Sequence, residues 1–531
     1  MTEMFAASVA EHGRRVLVDF LGRQFTYDDI AVEARRFASG LQSLGLGKGD
    51  RVGLYLPNVP AHLSAYFGVL ISGATVVNFS PLYTAAELEA QVADSGTRLL
   101  VTLDVPGLLP TAMQVLRASA LEWLVVVPLC AQMPFWQGLG MRLFKRGGIA
   151  AIPRAADVLE WRNLLLGAEP QPVAIDPLVD VAMLQYTGGT TGTPKGAMLS
   201  HQNLTANARQ IEAIDPHAHQ RDVILGVLPL FHVFANACVV NRTVYDGGTI
   251  AMLPRFQAVQ ALATVERLKV TAMLGVPTMY QALLDDPQMG RTDLSSLFTC
   301  ISGGAPLAAS LKARFDKTSG AKLVEGYGLT ETAGVVAANP FDGREVAGSI
   351  GHPLPGTDLR LFDTDDCTRD AAAGELGELA IAGPQVMLGY WNRPDADVFV
   401  EREGRRWLRT GDVAMIDEDG YVHIVDRIKD MIAVAGFKVF PSQVEAVLLA
   451  HPAVREAAVI GVPDAYLGER PRAFVVLDPR QKGEAQDIAE WLNARVGRHE
   501  QVNRVEPRAK LPKTKVGKLD RKALRFEVAG G

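Results

Sequence analysis

Apolar residues recur at helical spacing close to the start of the chain. Ile30, Ala34, Phe37, Leu41 and Leu44 share one face behind Thr26-Tyr27-Asp28-Asp29, which has a capping-box pattern, and Gly45 supplies a stop. A helix starting at Thr26 is therefore expected. Residues 51–56 (RVGLYL) read as a strand, 62–72 as a helix and 74–79 as another strand, and apolar strands at 250–253, 272–275 and 298–302 are separated by helical stretches. This alternation predicts α/β layers on largely parallel sheets. After about residue 340 the segments become short and alternating. Residues 407–416 and 421–425 flank Asp417-Glu418-Asp419-Gly420, whose Asp-Gly step signals a hairpin, so about 340–428 is expected to be β-rich. The remainder returns to small α+β units, with helices expected at 442–450 and 485–496.

The chain has 531 residues, enough for more than one domain, and is 48% hydrophobic and 21% charged, which excludes wholesale disorder. Cys130, Cys238, Cys300 and Cys367 have no paired spacing, so neither a disulfide framework nor a zinc site is expected. The N-terminus carries Glu3, Glu11, His12, Arg14 and Arg15 where an export signal needs an apolar run, and no apolar stretch is long enough to span a bilayer. A cytoplasmic location follows, with peripheral attachment to the inner face of the membrane left open. The net charge of −6 gives no nucleic-acid signature. It averages unlike parts: residues 429–531 hold 18 basic and 13 acidic side chains, whereas residues 1–428 hold 35 and 46.

Candidate chemistry begins at residues 184–200 (LQYTGGTTGTPKGAMLS), where a short apolar strand runs into Thr187, Gly188, Gly189, Thr190, Thr191, Gly192 and Lys195. Glycines let the backbone approach an anion, threonine hydroxyls and loop amides donate to phosphate oxygens, and Lys195 adds positive charge. A Walker A loop needs Gly-Lys-Ser/Thr running into a helix. Here Pro194 precedes the lysine and Gly196 follows it, which disfavours a helix and that reading.

With this loop in place, the whole chain resembles the adenylate-forming superfamily, specifically acyl-CoA synthetases of the bacterial long-chain fatty acid ligase type. The resemblance rests on YTGGTTGTPKG, LPLFHVF (228–234), GGAP (303–306), EGYGLTET (325–332), GSIGHPLPG (348–356), GELAIAGPQVMLGYW (377–391), TGD (410–412), VDRIKDMIAVAGFKVFP (425–441) and LPKTKVGK (511–518), in family order. It implies a large α/β AMP-binding domain, 1–428, and a small mobile α+β lid, 429–531. It implies ATP-dependent conversion of a medium- to long-chain fatty acid to acyl-AMP, then transfer to coenzyme A, with Mg²⁺ accompanying ATP. Another carboxylic acid, or a carrier-protein acceptor, is the rival reading. Oligomeric state is not legible, and a homodimer is compatible with the sequence.

The resemblance also assigns roles. Nucleotide contacts fall to the phosphate loop, to Gly303, Gly304 and Ala305, to Glu325, Gly326, Tyr327, Gly328 and Thr330, with Tyr327 stacking on adenine, and to Asp412 and Arg427 at the ribose. Glu331 and Thr187 are the implied Mg²⁺ ligands; magnesium takes few protein oxygens and keeps phosphate and water in its shell. Lys518 is the implied catalytic cation between the acyl carboxylate and the α-phosphate. Lys429 matches the hinge, Gly436 and Lys438 the loop forming the thiol tunnel, and His232 a gate rather than a general base. Two features stay open. The small side chains Ala235, Asn236, Ala237 and Cys238 suit either an open acyl tunnel or close helix packing. Residues 134–154, with Trp136, Leu139, Leu143 and Phe144 near one face and Arg142, Lys145 and Arg146 on another, suit either a membrane-surface helix or a packed connector.

Overall fold

The computed structural model describes all residues except 145, 168, 188–193, 219, 373, 395–396, 480, 482, 514–518 and 530–531; of residues 144, 146 and 529 only the backbone is described. The chain forms two compact units, Met1–Thr357 with Gly383–Ala396, and Asp358–Ala382 with Asp397–Gly531.

The first unit is built on two sheets of mixed direction. Among the described residues, one runs in the order Gly389–Tyr390, Lys195–Ser200, Val181–Thr187, Thr75–Asn78, Arg51–Leu54, Leu99–Leu103, Trp123–Val127 and Val158–Glu160. Its strands are parallel from Val181–Thr187 onward, and the other two add antiparallel. The other sheet runs His352–Pro353, Gly334–Ala338, Lys322–Leu329, Thr299–Ser302, Ala272–Gly275, Val223–Gly226, Thr249–Met252, Val16–Phe20 and Arg23–Thr26, parallel in its centre and antiparallel at both edges. Central parallel strands are buried on both faces, which is why runs such as Trp123–Val127 are continuously apolar. One antiparallel edge of each sheet carries candidate site residues.

The expected elements form with ends shifted by a few residues. Thr26 caps the helix Tyr27–Ser43: its hydroxyl accepts from the Asp29 N–H at 3.1 Å, and the Asp29 carboxylate accepts from the Thr26 N–H at 2.9 Å. Ile30, Ala34, Phe37 and Leu41 are buried. The expected strand ahead of Thr187 is Val181–Thr187, and a strand, not a helix, follows through Lys195–Ser200. Among the described residues of the segment 134–154, Phe135–Phe144 is an α-helix and Arg146–Gly148 a short 3₁₀ turn. Among the described residues no helix is long and apolar enough to cross a membrane. The four cysteines are free thiols.

In the second unit, Asp358–Phe362, Gly377–Ala382, Arg405–Ile416 and Phe399–Arg402 form an antiparallel sheet, with Val422–Arg427 also paired to Arg405–Ile416. The Asp-Gly turn closes that hairpin, with the Asp417 N–H donating to the Tyr421 carbonyl and the Gly420 N–H to the Asp417 carbonyl, each at 3.0 Å. A further sheet orders Phe437–Val439, Ile432–Val434, Gly468–Leu477 and Val454–Asp464, with Val505–Pro507 beside Gly468–Leu477. Val444, Leu448, Ile488 and Leu492 from the helices Pro441–Leu449 and Ala485–Asn493 fill its core.

Candidate active site

In the first unit, Thr187 ends a strand buried through its middle, and antiparallel register sets it opposite Lys195. This pair frames the phosphate-loop candidates. Gly188, Gly189, Thr190, Thr191 and Gly192 themselves lie outside the described residues. Tyr186 anchors the frame by donating its hydroxyl to Asp94 Oδ2 at 2.6 Å. Burial first, then the Asp94 hydrogen bond and charge, raises the Tyr186 pKa and keeps it protonated.

The edge strand Gly389–Tyr390 pairs with Lys195–Ser200, setting Tyr390 opposite Ala197. The Lys195 ammonium stands 5.2 Å from the centre of the Tyr390 ring, within the range of a cation–π attraction. The Tyr390 hydroxyl donates to Glu331 Oε1 at 2.6 Å, and the Glu331 carbonyl accepts from the Met387 N–H at 2.8 Å. Glu331 is thus held at both backbone and carboxylate, on the turn Thr330–Thr332. Sequence reasoning missed Tyr390. Its signal was its place in the GELAIAGPQVMLGYW motif, but its partner lies far away in sequence.

Tyr327 lies on Lys322–Leu329, opposite Ala337, with a register irregularity between it and Gly328. The neighbouring parallel strand pairs Ser302 with Glu325 and then enters Gly303-Gly304-Ala305. The expected adjacency of the two motifs is therefore present: a Cβ built on Gly303 would stand 3.4 Å from the Gly326 carbonyl oxygen and 3.1 Å from the Phe234 ring. The Glu325 carboxyl accepts the Leu307 N–H at 3.3 Å. Burial dominates there, with Glu345 adding repulsion against that hydrogen bond, and the pKa rises to about 7.

His232 caps the turn Val233–Ala235, its Nδ1 accepting the Phe234 N–H at 3.3 Å. A π-helical turn, Asn236–Asn241, follows; such turns cluster at functional sites. Ala235, Asn236, Ala237 and Cys238 are fully buried, and Ala237 packs so closely on Gly334 that a Cβ there would stand 2.6 Å away. Their small size serves close packing in this conformation.

In the second unit, Asp412 is 2% exposed and faces Arg427 across the hairpin, with Arg427 Nε 2.7 Å from Asp412 Oδ1. The hairpin brings this sequence-predicted pair together. Beside them, Glu378 binds Arg409 at 2.8 Å and accepts the Gly411 N–H at 3.0 Å. Lys429 lies on the turn Ile428–Asp430. Much of its side chain meets solvent, yet desolvation of the ammonium end, with the Arg427 charge second, lowers its pKa to about 8.

Gly436 has a local structural duty. Val434 pairs with Phe437, so Ala435 and Gly436, at φ 50° and 87°, form a two-residue hairpin turn that demands left-handed backbone at both positions. Lys438 donates to Asp365 and to the Thr364 hydroxyl, both at 2.8 Å. Lys518 lies outside the described residues. Its flanks are held: Lys513 and Leu519 form an antiparallel bridge, the Asp520 N–H donates to the Pro512 carbonyl at 2.9 Å, and Arg521 pairs with Glu445 at 2.6 Å.

The AMP-binding enzyme family matches residues 5–391, and the AMP-binding enzyme C-terminal domain matches residues 443–518. A long-chain-fatty-acid–CoA ligase of Bacillus subtilis (strain 168) is 38% identical over 525 residues, covering 97% of this chain and 92% of that one. A feruloyl-CoA synthase of Amycolatopsis sp. is 36% identical over 501 residues, covering 94% and 93%. Among solved structures, ATP-bound MatB from Rhodopseudomonas palustris is similar with a TM-score of 0.86 at 28% identity, covering 99% of this chain and 98% of that one. The anthranilate CoA ligase AuaEII in complex with anthranoyl-AMP gives a TM-score of 0.85 at 27% identity, covering 100% and 97%. A phosphate-loop strand pair, a clamped carboxylate and both matching domains agree, and the chain belongs to the AMP-binding, adenylate-forming enzyme family.

Proposed function

We propose that this enzyme converts a medium- to long-chain fatty acid to its coenzyme A thioester through an acyl adenylate. The observation that carries the reading is the linked set Lys195, Tyr390 and Glu331 beside Thr187, a cation and an oriented carboxylate at the mouth of a loop suited to polyphosphate. The names of the relatives, fatty acid ligases above all, support the substrate class.

The fatty carboxylate attacks the α-phosphorus of ATP; the bond to the β-phosphate oxygen breaks and pyrophosphate leaves. Lys518 offsets the repulsion between carboxylate and α-phosphate and the charge that builds in the transition state. Lys195 meets the phosphates, Tyr327 stacks on adenine between the Gly303–Ala305 and Gly326–Gly328 backbones, and Asp412 with Arg427 takes the ribose. Glu331 and Thr187 fit Mg²⁺: one carboxylate, held in place by the Tyr390 hydroxyl, and one hydroxyl suffice for an ion that keeps phosphate and water in its shell. When bound, Mg²⁺ supplies charge neutralisation on the phosphates. Lys429 is assigned as the hinge of residues 429–531, Gly436 and Lys438 as part of the loop that admits the pantetheine arm, and His232 as a gate. The coenzyme A thiol loses its proton and attacks the acyl carbonyl, and AMP leaves. The use of ATP and coenzyme A supports a cytoplasmic reading of the reaction.

Carboxylate-dependent ATP–pyrophosphate exchange followed by detection of the thioester tests this over saturated acids from short to long chain, with ferulate included because one relative is a feruloyl-CoA synthase. Lys518→Ala should abolish adenylate formation and spare thioesterification of supplied acyl adenylate. Equal loss of both half-reactions would overturn the assignment.

A further inference from the structure

The helix Phe135–Phe144, in the first unit, has its polarity inverted. Its buried position is Gly138, where a Cβ would stand 2.6 Å from the Cys130 carbonyl oxygen, so a bare backbone face is pressed onto the turn Leu129–Ala131. Its outward positions are Phe135, 72% exposed, Trp136, 78% exposed, Leu139 and Leu143. Spacing of three and four residues makes these one stripe, and the two rings meet edge to face at 5.1 Å. A surface helix ordinarily turns its apolar stripe inward. Here the seat beneath the helix is held by other means, with Arg23 donating to the Ala131 and Met133 carbonyls and buried Asp104 accepting the Leu129 N–H at 2.6 Å.

The segment that carries the stripe contributes charge of one sign only, although Arg142 also lies near the buried carboxylate of Asp104. Between Glu122 and Asp157 the sequence has no acidic residue, while Arg142, Lys145, Arg146 and Arg154 are basic, and Arg142 is exposed. A second copy docking stripe to stripe would set like charges against each other. An anionic lipid surface answers both features, taking aromatic and leucine side chains into the headgroup–acyl boundary and pairing phosphates with basic side chains.

We propose that Phe135–Phe144 docks the enzyme on anionic membranes, with Phe135, Trp136, Leu139 and Leu143 inserted and Arg142 at the headgroups. The use of this dock rests on the fatty acid reading, since a long-chain acid partitions into bilayers; the docking itself does not.

Sedimentation of the full chain with phosphatidylcholine vesicles, with and without phosphatidylglycerol, tests it. The native chain should bind phosphatidylglycerol vesicles, and Trp136→Ser with Leu143→Ser should weaken binding by about tenfold or more. Arg142→Glu should weaken it at low salt only. Brominated lipid should quench native fluorescence more than that of Trp136→Phe. Native binding that fails, or that survives the double substitution, overturns the proposal; so does self-association abolished by that substitution without vesicle binding. Acyl-CoA synthesis from detergent-dispersed acid separates the two readings. It should persist in the double variant, whereas its absence from the native chain alongside intact vesicle binding would refute the fatty acid assignment alone.

Discussion

Replacing Glu325 with Gln removes a carboxyl whose pKa stands near 7 and leaves a side chain of nearly the same shape. In the unfolded chain the group returns to its ordinary value of 4.5, a difference of about 2.5 units, and each unit is worth about 1.4 kcal/mol, so the ceiling is about 3 kcal/mol. Because the folded pKa is the higher one, the group's stabilising contribution is complete below about pH 4.5 and is lost as pH rises through about 7. Above that, the folded chain holds an ionised carboxylate in a desolvated place near Glu345, with the Leu307 N–H to receive it. Gln has no such loss. Melting temperatures of the native chain and Glu325→Gln should therefore diverge as pH rises: at pH 8 the variant melts higher by a few degrees, on the scale of about 2 °C per kcal/mol for a large domain, and at pH 5 the advantage disappears. Every other titrating group cancels in the comparison. Parallel curves from pH 5 to 8 would show that burial does not govern Glu325.

Tyr390→Phe keeps the ring beneath Lys195 and deletes only the hydroxyl on Glu331. A hydrogen bond to a charged group is worth about 1.5–3 kcal/mol, so kcat/KM for pyrophosphate exchange should fall roughly tenfold to a hundredfold. Thioesterification of supplied acyl adenylate should be spared, and equal loss in both assays would contradict the role. Gly436→Leu and Gly436→Asn should both keep adenylation and lose coenzyme A turnover, with Leu also costing about 1–2 kcal/mol in its left-handed turn position. Full turnover in the Asn variant would assign the defect to turn strain instead of tunnel width. Arg242, 2% exposed, meets Glu212, Asp215 and Asp222 at 3.1, 2.5 and 2.5 Å. Arg242→Met leaves those buried carboxylates without their cation and should destabilise the first unit by about 3–5 kcal/mol in denaturant unfolding; a loss below about 1 kcal/mol would refute the network's importance.

Much of the candidate site was legible because its parts are local. The capping box at Thr26, the Asp-Gly turn at Gly420, and the disfavouring of a helix after Pro194 each depend on residues a few positions apart. Asp412 and Arg427 were readable as a pair because that same turn folds one strand onto the other. Tyr390 and Glu331 were not, since 59 positions separate them and only the edge pairing of Gly389–Tyr390 with Lys195–Ser200 brings the tyrosine to the site. His232 was read as a gate, and its backbone-capping bond to Phe234 became visible only with the turn in place.

The sequence by itself determined the alternation of elements, the family motifs and the types of side chain available for phosphate, ribose and magnesium, because period, turn chemistry and charge are written within short windows. Tertiary structure alone decided which carboxylate receives which hydroxyl, that Gly436 serves a left-handed turn, and that the small residues after His232 are packed. It also decided the direction of the Phe135–Phe144 stripe. Helical period makes two faces but does not choose between them; the close approach of Gly138 to the Cys130 carbonyl does, and it turns the aromatic side chains outward.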